Sequence, residues 1–152
     1  MATILYDQLW KLAAAAGIDW ASGTVKVALM GSGYTPAKDD GPYWDDIEAN
    51  EIAAGGGYTQ IAASAGKDLA NKSVTNAVLG TVRLLADDPE WAASTITASY
   101  AVIVLWKTSS ADSPILACLD FGGSKSSSSS NFKIDFNSGG ADNAVITLAQ
   151  AA

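Results

Sequence analysis

Between positions 94 and 106 the chain reads STITASYAVIVLW, thirteen residues dominated by β-branched, aromatic and small apolar side chains. Such a stretch suits a pleated, buried surface far better than a helix, because branched side chains lose little rotamer freedom there and pack against cross-strand neighbours. Similar pieces recur: TVKVALM at 24–30, VLGTVRLL at 78–85, PILACLDF at 114–121, NFKIDF at 131–136 and NAVITLA at 143–149. Gly, Ser, Asn or Asp bounds each of them. In the first, Val25, Val27 and Leu29 share one face and Lys26 takes the other; in NFKIDF, Phe132, Ile134 and Phe136 oppose Lys133 and Asp135. Short strands at short intervals with turn residues between them predict an all-β fold, an antiparallel sandwich or barrel.

One segment has a different period. Leu5, Leu9, Leu12 and Ala16 repeat at helical spacing, with Tyr6, Trp10 and Ala13 beside them. Thr3 is a candidate cap, Asp7 lies where the helix dipole favours negative charge, and Gly17 is a candidate left-handed stop. The expectation is one N-terminal helix over 3–16, with Leu5, Leu9 and Leu12 buried and Trp10 and Trp106 in the core. With 152 residues, no repeat and no linker, the chain reads as a single domain over 1–152.

Two segments break the pattern. Residues 33–57 contain six carboxylates (Asp39, Asp40, Asp45, Asp46, Glu48, Glu51), three aromatics (Tyr34, Tyr43, Trp44), two prolines and the triplet Gly55, Gly56, Gly57. The second is GGSKSSSSSN at 122–131, whose composition reads as a flexible hairpin tip.

Charge and residue usage narrow the function. Nine basic against sixteen acidic residues, net −7, leave no basic patch for phosphates, so nucleic acid is not an expected partner. No histidine occurs, which removes Ser-His-Asp and Cys-His catalysis and His-ligated zinc. The single cysteine, Cys118, stands among Ala, Leu and Ile without a base or cation, and reads as a buried strand residue. No apolar run approaches the ~20 residues that span a bilayer, and the N-terminus has no signal-peptide pattern, so a soluble protein made in the cytoplasm is expected.

The composition of the acidic stretch suits two kinds of chemistry, an ion site and a catalytic carboxylate pair. Its two Asp pairs are adjacent rather than alternating, and Pro42 follows Gly41, so it does not match an EF-hand. Paired carboxylates with aromatics could serve glycoside hydrolysis, but short strands in a small chain leave little material for a deep cleft. Neither a catalytic residue, a cofactor nor a metal is assigned. The reading that remains is a docking arm over 33–57, loose in the free protein, with Tyr34, Tyr43 and Trp44 as anchors and Asp45, Asp46 and Glu48 in a polar rim. Folding of Trp44 into the sandwich's own core is the competing reading.

The chain also carries a resemblance. GIDWASGTVKVALM, YTP, YWDDIEANEI, GYT, DDPEWAASTITASYAVIVLW, ILACLDFGG and NFKIDF follow one another from the N-terminal helix onward. In this order they resemble a family of small tailed-bacteriophage virion proteins, some of which are similar to capsid decoration, or cement, proteins. The resemblance spans Leu5 to Leu148 and implies a non-enzymatic, jelly-roll-like β-sandwich on the outside of a phage shell. It implies the major capsid protein and further copies of the chain, as a homo-oligomer, as partners, and the virion as location. The chain departs from the pattern at QIAASAGKDLANKS and SGGADNAVITLA. The alternative is a tail- or head-fibre module that binds host-surface glycan.

Overall fold

The computed structural model describes residues 1–63, 66–76, 79–136 and 144–149. Its centre is a five-stranded antiparallel sheet in the order β1-β8-β7-β2-β3, formed by β1 (Ala2–Leu5), β2 (Thr24–Met30), β3 (Lys67–Asp68), β7 (Thr97–Trp106) and β8 (Ile115–Ser126). Two smaller antiparallel sheets accompany it. One is β10-β5-β4, from β4 (Ser73–Thr75), β5 (Thr81–Leu85) and β10 (Ala144–Ala149). The other pairs β6 (Glu90–Ser94) with β9 (Ser130–Lys133). The protein is thus an all-β sandwich with one short helix near its N-terminus, α1 (Asp7–Ala14).

The central strands are covered on both faces. Val25, Val27 and Leu29 of β2 point into a core shared with Trp91, Phe132, Ile134 and Phe136. Ala28 and Met30 of the same strand point the opposite way, into a second core with Tyr6, Trp44, Val102, Val104 and Cys118. Burial on both faces explains why β7 and β8 read as continuous apolar runs rather than clean alternations. It also places Lys26 in an unusual position. Only 4% exposed, its Nζ meets Asp68 Oδ1 across the β2–β3 pair at 2.7 Å and lies 6.0 Å from the Trp106 ring.

The helix is shorter than its periodicity suggests. Ala2 to Leu5 pair with Asp120 to Ala117 of β8, and Tyr6 N–H continues the ladder to Leu116 O, so Thr3 lies in a strand and caps nothing. Tyr6, extended at φ −77°, opens the helix instead. At the other end Ala16, not Gly17, adopts the left-handed turn (φ 52°), and Gly17 N–H returns to Leu12 O. Leu9 is fully buried, Leu5 and Leu12 are half-buried, and Trp10 is 49% exposed, so the expected core place of Trp10 is corrected. Trp106 is half-buried at the end of β7. Trp20, in the turn after the helix, is the buried indole there, with Nε1 donating to Leu85 O at 2.8 Å.

The run 94–106 divides. Ala93 takes a positive φ of 48°, and β6 ends at Ser94 while β7 begins at Thr97. This break lets the chain pass from the two-stranded to the five-stranded sheet. The expected tip at 122–131 is corrected too. Gly122 to Ser126 extend β8, Lys125 and Ser126 pairing with Ala98 and Thr97, and only 127–129 turn. Ser127 is buried: its hydroxyl donates to Ser94 O (2.9 Å), accepts from Ile96 N (3.2 Å) and lies 3.0 Å from Ser94 Oγ. Phe132, Ile134 and Phe136 are buried and Lys133 and Asp135 exposed, as their alternation predicts. Val78, which opens the 78–85 run, and the SGGADN stretch lie outside the described residues. Among the described residues no helix is long and apolar enough to cross a membrane.

Candidate functional site

The chain leaves β2 at Met30 and returns to it at Glu51, which bridges back to Met30. Between them the acidic stretch lies over the second core. Trp44 is fully buried, Tyr34 is 5% exposed and Ile47 4%. The expectation of a loose arm anchored on a partner by Tyr34 and Trp44 is therefore corrected: both rings are interior, among Tyr6, Met30, Val102, Val104 and Ile115. Physically, the apolar outer faces of β2, β7 and β8 would face water without this cover, at a cost of about 25 cal/mol per Å². The stretch is the layer that closes the sandwich on that side.

Hydrogen bonds fix it there. Trp44 N–H donates to Ser113 O (2.8 Å), Tyr43 bridges Pro114, and Ile52 N–H donates to Leu29 O (2.9 Å). Tyr34 Oη donates to Asp40 Oδ2 (2.7 Å), which also accepts from Ala37 N (2.8 Å). With that proton committed, Tyr6 Oη is the donor in its 2.6 Å bond to Tyr34 Oη. Burial pushes both phenols well above the ordinary tyrosine range, so the chain of hydroxyls stays protonated. Asp46 Oδ2 accepts from Tyr43 N at 3.0 Å and folds the short 3-10 turn Trp44–Asp46. Gly41 lies so close to the Asp46 carboxylate, at φ 70°, that a side chain there would collide with it.

A second fastening was not singled out by sequence. Glu51, 9% exposed, accepts on Oε1 from Tyr58 Oη (2.6 Å) and Ile61 N (2.9 Å), while Tyr58 Oη accepts from Leu29 N (2.9 Å). Loss of hydration raises the Glu51 pKa, the two donors oppose the rise, and nearby Glu48 adds to it. The cue was present in the composition of the stretch, but the partner Tyr58 follows three glycines that read only as a break. Those glycines form a tight turn: Gly55 pairs with Tyr58, and Gly56, at φ 56°, packs so closely on Thr95 O that only glycine fits.

Of the six predicted partner-contacting residues, Tyr34 and Trp44 are interior, Tyr43 and Glu48 half-buried, and Asp45 and Asp46 exposed. The arrangement is an acidic stretch fastened over the core by the chain's own hydrogen bonds. Asp40, Asp46 and Glu51 each hold the chain's own donors. Among the described residues, no three Asp, Glu or Cys side chains group as metal ligands. Cys118 is fully buried in the same core, and desolvation pushes its thiol up to about 12, which removes it as a nucleophile at neutral pH. A groove of about 430 Å³ lies elsewhere, beside Phe121, Lys125, Phe132 and Lys133. Comparison of the chain with protein-family models, with curated proteins and with solved structures finds no match.

Proposed function

We propose that the chain is a non-enzymatic structural protein of a tailed-phage virion, decorating the capsid by binding the major capsid protein. The observation that supports it is the exposed acidic turn. Asp45 is exposed on a turn that Asp46 caps and whose Trp44 is buried in the core, so the charged surface is preorganised and loses little entropy on docking. The resemblance of the quoted segments to small virion proteins points the same way. A carboxylate rim steers toward basic residues and sets register more than it adds affinity. A protein that binds only the assembled shell stabilises it by mass action, and a repeating lattice multiplies modest contacts. The glycan-binding alternative needs an exposed aromatic beside the acids; Trp44 is buried and Tyr43 half-buried, which weakens it.

Co-sedimentation with purified capsids tests this reading. The expected result is saturable binding at a fixed copy number, weakened by added salt and by Asp45→Lys. Absence of the protein from the capsid fraction at low salt would refute it.

A further inference from the structure

Strands β8 and β9 follow one another through the turn at 127–129, yet they do not pair. β8 goes with β7 and β9 with β6, so the two part from that turn and a groove of about 430 Å³ opens between them. Both flanks of the groove are open strand edges. On the β8 side the neighbouring strand β1 stops at Ala2, opposite Asp120, which leaves Phe121 to Ser126 without a strand there. On the β9 side, Ser130 O and Ile134 N–H are bonded to Ser94 Oγ and Pro89 O, toward β6. Backbone groups alternate along a strand, so those of Asn131 and Lys133 point the other way, where no strand pairs with them among the described residues. The floor is aromatic: Phe121 is half-buried and Phe132 buried, their ring centroids 6.3 Å apart. Gly122 and Gly123 leave the backbone bare, since a Cβ at either would meet no atom within 4 Å.

We infer that this groove takes an extended segment of a partner protein as an added strand, with an apolar side chain on the Phe121–Phe132 floor and a carboxylate beside Lys125. In strand addition, main-chain bonds to an open edge supply the affinity, and the sites for alternate side chains select the sequence. Unmet N–H and C=O groups along an edge suit a polypeptide backbone, whereas a compact small molecule would satisfy few of them. The lysines set the charge of the occupant. The chain carries net −7, yet Lys125 and Lys133 both line this groove. Lys133 is held by Asp88 at 2.9 Å, and Asp135 beside it is engaged as well. Lys125 is exposed and has no ion-pair partner among the described residues. An incoming Asp or Glu would pair with it, and a basic segment would be repelled. Lysines also guard an open edge against strands that bring no such acid. Capsid docking through the acidic turn uses other residues, so either reading can fail alone.

The probe is a pool of random peptides of about seven residues, enough to cover the four residues of β9. Selection on the free protein should enrich peptides that alternate apolar residues and carry Asp or Glu. With an enriched peptide bound, the amides of Asn131 and Lys133 should exchange more slowly, while those of Phe132 and Ile134, turned toward β6, change little. Lys125→Glu should weaken that peptide about three- to tenfold and favour a version whose acid is replaced by lysine. Methylation of the peptide's backbone nitrogens should abolish binding. A pool that yields no enriched sequence would show that the lysines only guard the edge, and would overturn the inference. So would peptides that bind equally well to Lys125→Glu or after methylation. Benzoate binding as tightly as the peptide would mark a small-molecule site instead. Protection of the Asn131 and Lys133 amides that grows with protein concentration, without peptide, would mark a second copy as the occupant; either result also overturns it.

Discussion

Replacing Trp44 by alanine separates a core layer from a docking arm. A buried tryptophan covers about 150–250 Å², which at about 25 cal/mol per Å² sets an upper bound of about 4–6 kcal/mol. Truncations of this kind in packed cores cost about 3–5 kcal/mol, because the surroundings only partly collapse. One term works against this. Trp44 Nε1 is buried without a hydrogen-bond acceptor among the described residues, so its removal relieves a desolvation penalty of about 1–3 kcal/mol. The net expectation is a loss of about 3 kcal/mol. For a chain of this length that corresponds to a fall in melting temperature of about 6–12 °C. Trp44→Phe keeps most of the ring and removes the N–H, so it should lose clearly less. Thermal and urea unfolding of the free protein, followed by circular dichroism, measure both variants. A melting temperature within about 2 °C of wild type for Trp44→Ala would refute the placement of this ring in the core.

Leu9, the fully buried residue of α1, should cost about 2–5 kcal/mol when changed to alanine, measured by urea unfolding. Ala16→Gly should stabilise the protein by up to about 1 kcal/mol, since Ala16 holds a positive φ of 52° that glycine adopts freely. Glu51→Ala should lose about 1–3 kcal/mol by leaving Tyr58 Oη and Ile61 N–H without their acceptor. Glu51→Gln keeps an acceptor and removes the buried charge. Because the folded pKa of Glu51 is raised, its stabilising contribution is complete below the ordinary carboxylate range and is lost as pH rises through the folded value. Wild type should therefore gain on Glu51→Gln as pH falls from neutral toward about 4, and a difference independent of pH would exclude this role.

The strands were legible because β-branched content survives whatever the layer arrangement, and NFKIDF alternates as it reads. The helix boundaries were not. Leu5 and Thr3 satisfy a helical repeat, yet the free edge of β8 takes Ala2–Leu5 as a strand, a tertiary choice that local spacing does not encode. The same competition misplaced Trp10, whose apolar surroundings in sequence are alanines that face outward. The serine tract was misread for a related reason: composition signals flexibility, but Ser127 finds backbone partners contributed by Ser94 and Ile96, some thirty positions away. The acidic stretch hid its structure most completely. Its fastenings are single hydrogen bonds between residues that have no periodic relation, Asp40 with Tyr34 and Glu51 with Tyr58. Tyrosines, prolines and glycines of this kind read equally as an arm or a lid, and only the uncovered face of a doubly buried sheet decides between them.

Amide hydrogen exchange on the free protein tests most directly whether the acidic stretch is part of the core. Trp44 N–H, Ile52 N–H and Ile61 N–H are bonded to Ser113 O, Leu29 O and Glu51 Oε1. Peptides covering these amides should exchange slowly, with protection approaching that of β7, before any partner is added. Exchange across 33–57 as fast as in an unstructured chain, with protection appearing only when capsids are supplied, would contradict it and restore the docking arm.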